Sequence, residues 1–442
     1  MVDAATNSDA GDSVADLPPS AVVEPSKPRL FRILGPGLIT GASDDDPSGI
    51  ATYSQAGSAF GYGLLWSLLF TYPLMAAVQI ISARIGRTTG RGIAGNLRHH
   101  YSSALLQGIV WLLVAANTIN IGADLGAMAD AARLLVGGSH LLYVVLFAGA
   151  CVLMQLLLKY QRYVRILKWL AAALLAYVVA LFFVKVPWAE VGRRLVVPSF
   201  QWSTSYLTLL VAVFGTTISP YLFFWQASQE VEDIGEKPTR EPLISAPDQG
   251  EAAIARIRAD TMIGMAISNL IALAIMVTTA AAFAHSGPTT IETSAQAAEA
   301  LRPIAGPFAF GLFALGIVGT GLLAVPVLAG SAAYAVGEAR RWPTGLNRRP
   351  LEARAFYGTI VAATLVGMLI NFAPINPIEA LFWSAVINGV VAVPVMAAMM
   401  LMARRPDIMG EWTIGPALQV LGWIATVTLG ACVVATVVLA VT

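Results

Sequence analysis

Charge is scarce in this sequence. Asp, Glu, Lys and Arg together make up 12% of its 442 residues, about half the share in an ordinary soluble domain. Cysteine is nearly absent. The two present, Cys151 and Cys432, sit inside apolar runs, where a thiol behaves as a small buried hydrophobe, so no disulfide framework or thiolate metal centre is expected. There are four histidines, His99, His100, His140 and His285, and none falls inside an apolar run at a spacing that would make a zinc-type site. The first 28 residues lack an apolar stretch of the kind a cleaved secretory signal needs. Being rich in Ala, Asp, Ser and Pro, they read as a disordered cytoplasmic tail.

Apolar residues fill the space that charge leaves. They make up 57% of the chain, and the mean hydropathy is +0.70. A bilayer core requires roughly 20 apolar residues per spanning helix, and such runs recur near 31–57, 62–85, 104–136, 141–158, 162–184, 204–230, 253–285, 305–339, 352–372, 377–403 and 411–441. The expected fold class is an all-α membrane protein of about eleven transmembrane helices, with a single transporter-like domain over 29–442. Basic residues cluster in alternate connections; all of the 27 Lys and Arg residues except Arg133, Lys185, Arg193, Arg194 and Arg302 lie on one side. By the positive-inside bias that side is cytoplasmic, which places the N-terminus inside and the C-terminus outside a cell inner membrane.

Two spans carry helix breakers at comparable depth. The first contains Asp46-Pro47-Ser48-Gly49, and the sixth contains Gly215 to Pro220. Proline removes a backbone donor and glycine leaves helical angles cheaply, so unwound backbone is expected at both places. The two spans are five apart and cross in opposite directions, as an inverted repeat over about 31–184 and 204–403, with an extra helix at 411–441, would require. Irregular backbone at membrane depth is tolerated where it lines a cavity or is buried in protein, and a matched pair of broken helices points to a transport site. The bland alternative is a pair of proline kinks that serve packing only.

Asp44, Asp45 and Asp46 lie at the first break, and a charged residue at the bilayer centre costs about 3 kcal/mol. A cation is the natural counter-charge. Capping of the following half-helix, or the lining of a vestibule, would also explain one or two of them. Asp124 in helix three reads as a cavity or ion-path acid, with an internally hydrogen-bonded structural acid as the alternative. The sixth span offers Thr216, Thr217, Ser219 and their carbonyls, with Glu230 at its cytoplasmic end. Asn388 in helix ten either faces the site or bonds another helix. The ligand set is therefore all oxygen.

The stretch GPGLITGASDDDPSGIATYSQAGSAFGYGLLW resembles the first helix of the Nramp (natural resistance-associated macrophage protein) metal transporters, whose hallmark there is Asp-Pro-Gly-Asn. The likeness continues through the TGRG stretch at 89–92 and the small-residue eighth helix. It implies a LeuT-like 5+5 inverted repeat with discontinuous helices one and six and a divalent metal cation held between them. By the same resemblance the family's metal-binding aspartate falls on Asp46, its asparagine on Gly49, its methionine on Ser219 and its sixth-helix histidine on Tyr221. The carbonyl ligand falls on Thr216, and the helix-three glutamate associated with proton movement falls on Asp124.

Loss of the methionine removes the soft ligand that favours transition metals. Carboxylate, hydroxyl, carbonyl and water suit Mg²⁺ or Mn²⁺, and Gly49 and Ser219 are expected to enlarge the site for a partly hydrated ion. The pattern resembles the Nramp-related magnesium transporters. The metal set is then Asp46, Asp45, Gly49, Thr216 and Ser219, and the ion path Asp124, Asp44, Tyr221, Asn388 and Glu230. Changes at Tyr221 and Asp124 favour uptake without proton coupling. The alternatives are a proton-coupled Mn²⁺/Fe²⁺ transporter of the ordinary Nramp kind and an ion-coupled carrier of an organic solute. An enzyme is not expected, because no nucleophile and base pair stands out. Neither a resident cofactor nor a nucleic-acid partner is expected; the partners are the metal cation and the bilayer.

Overall fold

Proline starts both halves of the helical pattern. In this computed structural model the described residues are 40–41, 43–157, 174–236, 239–284, 290–302 and 306–441. Residues 43–44 are helical, Asp45 is a bend, and Asp46 is extended with φ −71° and ψ 171°. Helix α1 then begins at once over Pro47–Phe60. A proline pushes the residue before it out of helical angles, yet its own fixed φ suits the first helical position. The break therefore sits at Asp45–Asp46, earlier than the sequence suggested, and Ser48 and Gly49 belong to the first turn of the resumed helix.

The sixth span repeats this. Helix α5 ends at Thr217 (Thr204–Thr217), Ile218 is non-helical, and α6 restarts at Pro220 (Pro220–Glu236). Gly215, expected to take part in the break, is helical instead. Its missing side chain lets α5 approach helix ten closely, since a Cβ there would run into Ala385 O and Gly389.

The other spans are α2 (Leu65–Thr89), α3 (Ser103–Val136), α4 (His140–Leu157), α7 (Gly250–Phe283), α8 (Ala309–Arg340), α9 (Arg354–Ile370), α10 (Pro377–Ala403) and α11 (Pro416–Val441). Among the described residues, eight helical stretches, with α1 and α2 counting as one and the broken sixth span as one, are long and apolar enough to cross a membrane. The expected fifth span, 162–184, lies largely outside the described residues, with a short helix at Leu175–Ala180 remaining. The expected tail, 1–28, lies outside them entirely.

Burial separates centre from rim. The apolar window of the broken sixth span is 94% buried, against 22% for α4 and 17% for α11. The centre is thus α1, α5 and α6, wrapped by α2, α3, α7, α8 and α10. The most extensive pairing is α8 along α3, while α3 and α9 come close at Gly122 and Gly367, where a Cβ on Gly122 would lie 2.8 Å from Gly367 O, the usual mode of packing in lipid.

Candidate metal site at the paired helix breaks

Asp46 caps α1. Its Oδ1 accepts from Ser48 Oγ at 2.6 Å and from the Gly49 backbone N–H at 2.8 Å, which satisfies donors that a helix start leaves without partners. Its Oδ2 accepts from Asn120 Nδ2 of α3 at 3.0 Å. A carboxylate offers about four acceptor directions. Three are used here, and the fourth lies on Oδ2. The capping role weighed from the sequence is real, and it leaves room for one more positive partner.

Asp44 and Asp45 lean toward α7. Ser268 Oγ lies 2.5 Å from Asp44 Oδ2 and 3.2 Å from Asp45 Oδ1. One hydroxyl proton serves one carboxylate at a time, and Asp44 Oδ1 has no hydrogen-bond partner among the described residues. All three aspartates are buried. They do not converge with other acids, and no group of three or more His, Cys, Asp or Glu side chains that could hold a metal is found among the described residues.

The sixth-span break faces the first. A Cβ on Gly49 would lie 3.0 Å from Thr216 Oγ1 and 3.4 Å from Tyr53 Cε2. The space that glycine was expected to open is therefore taken up by the threonine hydroxyl, and α1 and α5 meet at this point. Ser219 Oγ turns back to donate to Gly215 O at 2.8 Å and Thr216 O at 2.9 Å. It caps carbonyls at the end of α5.

Tyr221 ties the two breaks together. Its hydroxyl donates to Ser43 O at 2.9 Å, and its own carbonyl accepts from Ser331 Oγ of α8 at 2.9 Å. Deeper in, Thr40 Oγ1 bonds Gln226 Oε1 across the same pair of half-helices.

The remaining expected residues divide. Asp124 lies one helical turn from Asn120 on the same stripe of α3; it is buried, with neither carboxylate oxygen accepting a hydrogen bond among the described residues. Asn388 is buried on α10 beside the Gly215–Gly389 contact, and both of its amide atoms are likewise without partners there. Glu230 is not brought to the break. It lies ten residues past Pro220, about 15 Å along the helix, and its Oε2 pairs with Arg256 Nη2 at 2.5 Å. Arg256 also reaches Asp233 at 3.6 Å, and Arg240 pairs with the same Asp233.

Asn120, Ser48 and Ser268 contact the three aspartates and were not anticipated. Asn120 was legible: Asn117, Asn120 and Asp124 follow at three- and four-residue steps, which makes a polar stripe on an apolar helix. Ser268 carried no such signal.

The family described as natural resistance-associated macrophage protein-like matches residues 37–439. A manganese transporter of Eremococcus coleocola, solved in complex with an aromatic bis-isothiourea substituted compound, is similar with a TM-score of 0.71 at 16% identity, covering 95% of this chain and 89% of that one. MhsT in complex with L-phenylalanine gives a TM-score of 0.59 at 14% identity, over 90% and 98% of the two chains. Mhp1, a nucleobase-cation-symport-1 family transporter, gives 0.54 at 17%, over 92% and 93%. At such identities the likeness is one of fold. It is the LeuT-type fold, with helices one and six discontinuous as the breaks at Asp46 and Ser219 require.

Proposed function

The chain belongs to the Nramp family of divalent metal transporters, and we propose that it takes up Mg²⁺, Mn²⁺ or both, in partly hydrated form and without coupling to protons. It is a multi-pass membrane protein; the inner membrane, with the N-terminus cytoplasmic, is the location that the arginine and lysine distribution favours.

The observation that carries the reading is the donor set at the breaks. Ser48 Oγ bonds Asp46, Thr216 Oγ1 stands against the adjoining Gly49, and Ser219 Oγ lies on the Gly215 and Thr216 carbonyls, with no sulfur or imidazole in the places the family pattern reserves for methionine and histidine. Hard oxygen donors do not select the softer, later transition ions, whereas Mg²⁺ and Mn²⁺ accept them. Few charged ligands also suit an ion that keeps its water. Asp46 has one acceptor direction left, so most of the coordination must come from water and neutral oxygen. Mg²⁺ dehydrates reluctantly and commonly binds in this way.

Transport then proceeds by parting and closing of the half-helices. The ion enters between Asp46 and Thr216, with Asp45 as a second charge. The Tyr221–Ser43 and Thr40–Gln226 bonds hold the inner side shut, and their release opens the path. Asp44, Asp124 and Asn388 line the route with polar atoms. The membrane potential supplies the drive, since a doubly charged ion gains about 4.6 kcal/mol across 100 mV.

One observation favours a second reading. The buried carboxylate of Asp124, with both oxygens unbonded among the described residues, could carry a proton and restore proton-coupled Mn²⁺/Fe²⁺ transport. Calorimetric titration of the purified protein tests the metal assignment. Binding of both Mg²⁺ and Mn²⁺, lost in Asp46→Asn, is expected; binding of Mn²⁺ without Mg²⁺ contradicts it.

A further inference from the structure

Where α2 ends and α7 begins, a groove of about 610 Å³ opens on the surface, lined on one side by Glu251, Ile254, Arg258 and Met262 of α7 and on the other by Arg84 and Trp412. The α7 residues are spaced three and four apart, so they form one stripe of the helix, running roughly 16 Å from its start toward the membrane interior. The stripe is charged at the helix start and apolar further on. Past Met262, exposed Ile263, Ile267 and Leu270 continue the apolar surface along the same helix.

The charged end has spare donors. Arg84 gives Nη2 to the carbonyls of Trp412 and Thr413 at 3.4 and 3.3 Å, but its Nε is buried with no acceptor among the described residues. Trp412 Nε1 is buried in the same condition. Both atoms are closed to solvent, so a ligand in the groove meets the half-buried guanidinium of Arg84 and the open one of Arg258. Arg258 is exposed and forms no ion pair among the described residues. Two guanidinium groups against the one carboxylate of Glu251 leave the groove net positive.

We propose that this groove binds an anionic phospholipid, its phosphate on Arg84 and Arg258, its ester region against the Trp412 ring and one acyl chain along the Met262–Leu270 face. A free anion would gain nothing from the apolar floor, and a zwitterionic lipid would waste the net charge. Basic pockets between membrane helices at the cytoplasmic surface recognise acidic headgroups by this chemistry, and tryptophan favours the same depth. The proposal depends on the chain being in a membrane and not on which ion it carries.

The test is thermal unfolding of the detergent-purified full chain with added phosphatidylglycerol, phosphatidylcholine or inorganic phosphate. Phosphatidylglycerol raises Tm and the other two do not. Arg258→Gln, a change on an exposed side chain, weakens the apparent affinity for phosphatidylglycerol about fivefold, close to 1 kcal/mol. Arg84→Gln weakens it at least as much if that variant folds. Equal stabilisation by the two lipids, or an unchanged phosphatidylglycerol response in Arg258→Gln, overturns the proposal. Stabilisation by inorganic phosphate alone would also overturn it, by making the groove a simple anion site.

Discussion

Asn120 donates its side-chain N–H to Asp46 Oδ2 across 3.0 Å, so helix three fixes the orientation of the carboxylate at the break in helix one. A group that orients a metal ligand typically contributes 10- to 100-fold to affinity. Asn120→Ala should therefore raise KM for Mg²⁺ and Mn²⁺ uptake by roughly that range, with the amount of folded protein little changed. Uptake curves normalised to reconstituted protein measure it. An unchanged KM would mean that Asp46 is oriented by its own helix cap alone.

Tyr221→Phe removes the hydroxyl that bonds Ser43 O and keeps the ring. A hydrogen bond of this kind is worth about 1 kcal/mol, enough to shift a closed inner side several-fold toward open. Labelling of a Ser43→Cys reporter by a membrane-impermeant thiol reagent from the cytoplasmic side should speed up several-fold when Tyr221→Phe is added. Cys151 and Cys432 should be removed from the background first.

Gly49→Ala separates packing from helix propensity. Alanine in a helix is favoured over glycine by about 1 kcal/mol, so propensity alone predicts stabilisation. The methyl would instead meet Thr216 Oγ1 at 3.0 Å, and the variant should lose both Tm and uptake. Adding Thr216→Ala should restore Tm while uptake stays low, because the hydroxyl proposed to meet the ion has gone. Recovery of uptake in the double variant would remove Thr216 from the site.

The sequence placed Glu230 on the ion path, but the structure pairs it with Arg256. Removing one partner of a buried ion pair costs about 3–5 kcal/mol, and less here because Asp233 remains near Arg256. Glu230→Gln should lower Tm, and KM for the metal should stay at the wild-type value. A rise in KM at unchanged stability would return Glu230 to the path.

Long apolar runs were the legible part of this fold. The run at 377–403 is helix α10 to the residue, and that at 104–136 differs from α3 by one. The breaks were legible as places but not as geometries. Pro47 and Pro220 start helices rather than interrupt them, and Gly215 was read as a breaker although its purpose is the close approach of α10. Both errors share one cause: a proline or glycine shows that something is special about the backbone without showing on which side. The three aspartates stood out because charge in lipid is costly. Ser268 did not, because a hydroxyl in an apolar helix costs little and can bond its own backbone. The pairing of Glu230 with Arg256 was not legible, since the two are 26 residues apart in sequence and no local pattern connects them.

The central claim is uptake of a hard divalent cation at Asp46 without protons. Flux into proteoliposomes at an imposed inside-negative potential tests it most directly, with Mg²⁺, Mn²⁺ and Ca²⁺ compared, internal pH recorded and Asp46→Ala as control. Entry of Mg²⁺ and Mn²⁺ with no internal acidification, abolished by Asp46→Ala, is the predicted result. Entry of Mn²⁺ alone, accompanied by acidification, would contradict it.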